Sequence, residues 1–223
     1  MILPIKTLKY YFLTHQNICR KENMMKEFAD VDLTEVNPIN HENRNSSGAS
    51  GFSRMLERAV SHCDHFEPFV LLEDDVKRKR EIPETITIPD DTDILYIGLS
   101  RWGMKDSNQT SMDIVCYKDV DDSVIQVWNM LSLHGIVICS LRGLLAMQRC
   151  MTEAYIKQIP WDIYICQIQP YYKIYALRDP LVYQFGELGG REECTNITYK
   201  DRREKEFPLA WVKKDLACIE MRL

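Results

Sequence analysis

No apolar run in this 223-residue chain approaches the roughly 18 to 20 residues that cross a bilayer as a helix. The opening Met1-Ile-Leu-Pro-Ile-Lys6 lacks the pattern of a secretory signal. No two of the eight cysteines form a CxxC pair, and their spacing fits no usual zinc site. Basic residues are not in excess: 28 Lys and Arg face 33 Asp and Glu, a net charge of −5, which argues against a duplex nucleic-acid binder. There is no P-loop, GxGxxG, GxSxG or HExxH, so the commonest nucleotide and hydrolase signatures are missing. Cys139 and Cys166 sit inside apolar runs, which reads as buried reduced thiols rather than a disulfide framework. Together these absences predict a cytoplasmic protein with no membrane span, in which the sequons at Asn45, Asn108 and Asn196 are fortuitous.

What is present is an ordinary globular mix, 45% hydrophobic and 27% charged, in a length that suits one domain over residues 1–223. Leu8–Leu13 reads as a buried strand, 20–28 as a helix with Met24, Met25 and Phe28 on one side, and 31–36 as a short strand. Residues 38–50, rich in Asn, Ser and Gly, read as a loop, and 51–62 as a helix with Phe52, Met55, Leu56 and Ala59 on one stripe. Phe69–Leu72 and 93–99 are buried strands, and 101–122 is a long polar excursion. Strand-like runs at 124–131 and 135–139 precede a helix over 141–159, stopped by Pro160. A short helix or turn at 161–168, strands at 172–176 and 181–185, and a Gly-rich turn at 186–191 complete the pattern, followed by a charged tail. Strands alternating with helices predict an α/β fold with a mixed, mostly parallel central sheet.

The sharpest chemical feature is Phe69-Val-Leu-Leu-Glu-Asp-Asp-Val76, three carboxylates capping a hydrophobic strand. Ligands of α/β sheets bind beyond the carboxyl ends of strands. Strand alternation predicts that Glu73 and Asp75 point together and Asp74 away, a pair suited to Mg²⁺ or Mn²⁺. A solvated acidic turn has the same local pattern. Asp162, in Pro160-Trp-Asp-Ile-Tyr164, is either the opening residue of a short helix or a general base raised by partial burial. His134 lies between two strand-like runs, where a satisfied core histidine is the commoner outcome. His62-Cys63-Asp64-His65 fits no standard metal site, and Lys77–Arg80 either screens the acidic triplet, attracts phosphates or forms a solvated loop. Arg191 follows a Gly-rich turn able to fold over a diphosphate.

Taken in order, these residues resemble glycosyltransferase family 25, the lipopolysaccharide-type galactosyltransferases and their collagen-modifying relatives. Tyr10–His15 with Arg20 is similar to its opening strand and Arg-bearing turn, and Ser47–Leu56 to its glycine-led helix. Phe69–Val76 resembles its LEDD strand end, 93–99 the following strand, and 133–138 its His-bearing strand. Ile159–Tyr164 is similar to its Pro-x-Asp segment, 175–184 to its final strand pair, and Gly190-Arg191 falls near its Ser/Arg loop. The resemblance covers about residues 8–192 and leaves 193–223 as a C-terminal extension. A Ser-His pair common in the family is absent from Phe52-Ser-Arg-Met-Leu56.

The resemblance implies a GT-A fold and an inverting glycosyltransferase that moves a sugar from a UDP-sugar to a hydroxyl of a glycan or glycoprotein acceptor. It implies Mn²⁺ or Mg²⁺ held by Asp75 and Glu73, with Thr14, His15, Arg20, Asp74, His134 and Arg191 around the nucleotide-sugar. Asp162 would be the catalytic base. Two other classes share the acidic strand end or the fold: a metal-dependent phosphohydrolase or nuclease, and a non-catalytic sugar-binding domain.

Overall fold

A computed structural model describes residues 1–14, 17–61, 65–104, 111–112 and 115–188. Its strands are β1 (Lys9–Leu13), β2 (Asp32–Val36), β3 (Phe69–Glu73), β4 (Val76–Arg78), β5 (Ile94–Tyr96), β6 (Cys116–Asp119), β7 (Val124–Asn129), β8 (Gly135–Ile138), β9 (Ile174–Leu177) and β10 (Val182–Gln184). The helices are α1 (Ile18–Glu27), α2 (Arg44–Val60), α3 (Leu141–Lys157) and α4 (Trp161–Ile168). Apart from β4 and β10, these strands form one sheet in the order β6-β7-β9-β5-β8-β3-β1-β2. Three of its pairings are parallel (β1 with β2, β1 with β3, β5 with β9). The other four are antiparallel, because β7 and β8 run against their neighbours. The fold is therefore mixed α/β, and the central sheet is less parallel than strand-helix alternation predicts. No helix among the described residues is long and apolar enough to cross a membrane.

The apolar pattern explains the layering. Tyr10 and Phe12 of β1 pack with Met24 and Phe28 of α1 on one face. Tyr11 and Leu13 pack with Phe52, Met55 and Leu56 of α2 on the other. In β3, Val70 and Leu72 join the first cluster and Phe69 and Leu71 the second, so the strand reads as a continuous apolar run. Each such side chain contributes about 1.5 to 3 kcal/mol by burial. From β1 the chain passes through α1 to β2 on one side, then returns through α2 to β3 on the other side of β1. The strand order thus reverses between β1 and β3, and it is at such a switch point, in the crevice beyond the carboxyl ends of the strands, that open α/β sheets bind ligands.

Three segments depart from the sequence reading. The helix α2 begins at Arg44, not at residue 51: the Asn43 side chain caps it by accepting from the backbone N–H of Asn45 and Ser46. Ser46, Ser47, Gly48, Ala49 and Ser50 are buried there, so close packing overrides their poor helix propensity. The basic run is not a solvated loop, because its first residues form β4, paired antiparallel with β10. Within the described part of 101–122, Gly103–Met104 pairs with Ser111–Met112, and β6 forms the sheet edge.

The start of α3 fixes the sheet's far side. Ser140 caps it, accepting from the Gly143 N–H and donating to Asp93 Oδ1 at 2.7 Å. A Cβ on Gly143 would lie 2.3 Å from the Asp93 carbonyl oxygen, a backbone atom that cannot swing aside. Gly143→Ala should therefore destabilise the fold by about 1 to 3 kcal/mol despite the better helix propensity of alanine. Urea unfolding measures this, and an unchanged midpoint would contradict the close approach.

Candidate functional site

The acidic strand end closes the crevice beyond β1 and β3. Glu73 is the last residue of β3, opposite Leu13 of β1. Its N–H donates to the His134 carbonyl at 3.2 Å, which ties β3 to the start of β8. After Glu73 the chain turns, so strand alternation stops there and Asp74 and Asp75 do not point apart. Arg20, in the first turn of α1, reaches both: its Nη1 donates to Asp74 Oδ1 at 2.7 Å and lies 3.7 Å from Asp75 Oδ2. Gln184 at the end of β10 donates to Asp75 Oδ2 at 3.0 Å, and the Phe185 N–H donates to the Asp75 carbonyl at 2.7 Å. The β4–β10 ribbon thus straps the acidic turn in place.

Both Asp74 and Asp75 are buried. Burial, followed by the charges of Asp75, Asp162 and Asp74, pushes the Glu73 carboxyl well above the usual carboxylate range. Burial also raises Asp75, with Arg20 and the Gln184 hydrogen bond pulling the other way. Asp75 Oδ1 is buried without a hydrogen-bond partner. An orphaned carboxylate oxygen beside a second carboxyl strained toward protonation is the electrostatic condition that a divalent cation relieves. Among the described residues, no group of three or more His, Cys, Asp or Glu side chains is gathered to hold a metal. The pair Glu73 and Asp75 fits a hard cation that takes its remaining oxygens from elsewhere.

The structure brings together most of the residues singled out from the sequence. Thr14 follows β1 into the crevice, fully buried, with its hydroxyl lacking a hydrogen-bond partner. Asp162 is the second residue of α4, near enough for its charge to raise Glu73. His134 is buried beside Glu73, with Nδ1 2.8 Å from the Ser132 hydroxyl and Nε2 unpartnered. Burial depresses its imidazolium to about 4, so the ring is neutral at physiological pH. His15 and Arg191 lie outside the described residues, as do residues 62–64 of the His-Cys-Asp-His run.

The basic run does not meet the acidic triplet. Arg78 pairs with Asp30, Lys79 and Arg80 pair with Asp179, and Lys77 sits 3.7 Å above the Phe185 ring. Gln184 and Ser132 were not visible as site residues. Gln184 lies 109 residues from its partner, so no local spacing signals the contact. A cavity of about 350 Å³, lined by Thr7, Lys9, Asp32, Glu67 and Phe69 among others, opens at the opposite, amino end of these strands. Of the cysteines described as free, Cys116, Cys139, Cys150 and Cys166 are buried as expected and Cys19 is exposed.

No family model matches the chain, and no curated protein matches it. Among solved structures it is similar to A197 from STIV, with 13% identity and a TM-score of 0.41, over 80% of this chain and 85% of that one.

Two outcomes test the electrostatics. Arg20→Met leaves buried carboxylates facing one another and should cost about 3 to 5 kcal/mol near neutral pH. Both carboxyls are raised above the usual range, and their protonation relieves that repulsion, so the deficit against the unsubstituted protein should shrink as pH falls. A pH-independent deficit in urea unfolding would exclude the pairing as its cause. His134 works with the opposite sign. Its folded value is below its unfolded value of about 6.5, so its contribution is full above 6.5 and is lost as pH falls toward 4, up to about 3 kcal/mol. His134→Gln should flatten that part of the stability profile between pH 6.5 and 4, and a retained slope would assign it to other groups.

Proposed function

We propose that the chain is a metal-dependent, inverting glycosyltransferase of GT-A type, using a nucleoside-diphosphate sugar and a hydroxyl acceptor. The observation that carries this reading is the convergence of Glu73–Asp75, Arg20 and Asp162 at the crevice where the strand order reverses. Such crevices accommodate nucleotides. The excess of carboxylates over the facing guanidinium calls for a cation, and Mg²⁺ or Mn²⁺ sites commonly combine one or two carboxylates with substrate phosphate oxygens. The resemblance to family 25 glycosyltransferases is the second support. A bound Mn²⁺ or Mg²⁺ would supply Lewis-acid stabilisation of the diphosphate leaving group.

The protein's own residues divide the work as follows. Asp75 and Glu73 would present the oxygens that hold the cation. Arg20, kept in place by Asp74, directs positive charge into the crevice next to them. Thr14 offers an unpaired hydroxyl beside the same opening. Asp162, at the positive end of α4, takes the proton from the acceptor hydroxyl as that oxygen attacks the anomeric carbon and the nucleoside diphosphate departs. One displacement with one base inverts the configuration. His134, held neutral, adds no charge to the crowded acidic end.

Four measurements check this. UDP with Mn²⁺ should raise the melting temperature more than either alone, and a screen of nucleotide-sugars should reveal metal-dependent turnover. Asp75→Ala should abolish the metal-dependent turnover. Asp162→Asn should lower turnover by about 10²- to 10⁴-fold while UDP and Mn²⁺ still bind. Turnover that survives Asp75→Ala would sink the metal assignment. Phosphoesterase turnover, with a thermal shift from metal alone, would replace the transferase by a hydrolase.

A further inference from the structure

We propose that the first turns of α2 form the seat of Asp162, with Gly48 as a positioning residue that acts through Trp161. The catalytic readout of this inference rests on the transferase reading, whereas its structural readout does not. Glycine in a helix interior is about 1 kcal/mol less favourable than alanine, and Gly48 lies in the second turn of a 17-residue helix. Its missing side chain has a use. A Cβ there would lie 2.0 and 2.2 Å from Cζ3 and Cη2 of Trp161 and 2.9 Å from Cε3. The indole therefore rests directly on the α2 backbone, and Phe52, one turn on, packs against it with ring centroids 5.6 Å apart.

Trp161 is the first residue of α4 and Asp162 the second. The residue that caps α4 is Pro160, whose side chain offers no capping hydrogen bond, so the entry of this helix depends on packing. The segment leading into it is held by the same stretch of α2. Asn45 Nδ2 donates to the Gln158 carbonyl at 2.8 Å, and Ser46 Oγ donates to the Tyr155 carbonyl at 3.2 Å. Gln158 adopts a left-handed conformation at φ 57°. The start of α2 thus fixes both the chain just before Asp162 and the ring just beside it. Pushing the indole off its seat would swing the Asp162 carboxylate away from Glu73, whose carboxyl now feels its charge.

The test uses Gly48→Ala and Trp161→Leu, singly and together. Each single substitution should lower kcat for metal-dependent hydrolysis of the UDP-sugar on which the unsubstituted protein turns over, with water as acceptor, by about 10- to 100-fold. Affinity for UDP with Mn²⁺ should stay unchanged, because neither residue is among those assigned to the nucleotide or the cation. The double variant should recover activity relative to Gly48→Ala, since leucine vacates the space the new methyl needs. Crystal structures of the unsubstituted protein and Gly48→Ala should differ in the Asp162–Glu73 separation by on the order of 1 Å. An unmoved Asp162, a parallel loss of UDP and Mn²⁺ binding, or a double variant no better than Gly48→Ala would overturn the proposal. If the unsubstituted protein turns over no nucleotide-sugar, the transferase reading fails and the crystal comparison alone decides the seat. Should Gly48→Ala not fold, Trp161→Leu removes atoms rather than adding them and carries the same readouts.

Discussion

Carboxylates buried at the end of an apolar strand repel one another, and the local architecture is organised around that repulsion. The strand β3 is buried on both faces, so Glu73, Asp74 and Asp75 emerge from it with little access to bulk water. Proximity in a low-dielectric setting makes their mutual repulsion large unless a positive charge or a proton offsets it. The fold responds from three directions. The first turn of α1 delivers Arg20, the end of β10 delivers the Gln184 amide, and Glu73 itself is displaced toward its protonated form. The reversal of strand order beside β1 is what allows a helix on one face of the sheet and a ribbon beside it to meet this single turn.

His134 extends the same logic to the neighbouring strand. Because β8 runs antiparallel to β3, its beginning lies beside the end of β3, and a backbone hydrogen bond joins the two at Glu73. The His134 ring itself lies against Gly98, where a Cβ would meet Nε2 at 2.3 Å. Burial keeps the ring neutral, and the Ser132 hydroxyl takes up one of its nitrogens. The antiparallel insertion of β8 therefore sets a neutral buried histidine at the residue whose carbonyl ties down the end of β3.

Much of this was legible in the sequence, and the limits have physical causes. The strands β3, β5 and β8 announce themselves as short continuous apolar runs, and α3 by its spacing and the proline that follows. The acidic strand end, Arg20 and Asp162 were all identifiable as residues, and they do gather. The orientation of Asp74 and Asp75 was not, because the period-2 rule applies only while the strand lasts and β3 ends at Glu73. The start of α2 was hidden because Ser-Ser-Gly-Ala-Ser looks like a loop by propensity, and only the indole packed against it explains a helix there. The strand β4 was hidden by Lys77 and Arg78, whose charges meet the Phe185 ring and the sequence-distant Asp30. His15 and Arg191 lie outside the described residues.

The position of β8 between β3 and β5 has a consequence for biogenesis. As the chain emerges during synthesis, residues 1–73 can assemble β1, β2 and β3 with α1 and α2 from near neighbours in sequence. The outer edge of β3, four apolar residues with unpaired backbone groups, then has no partner until residues 135–138 are made. For that interval the nascent chain carries an open, sticky strand edge of the kind that recruits other chains. The partner that closes it arrives before Gln184, so the sheet is sealed first and the strap over the acidic turn comes last.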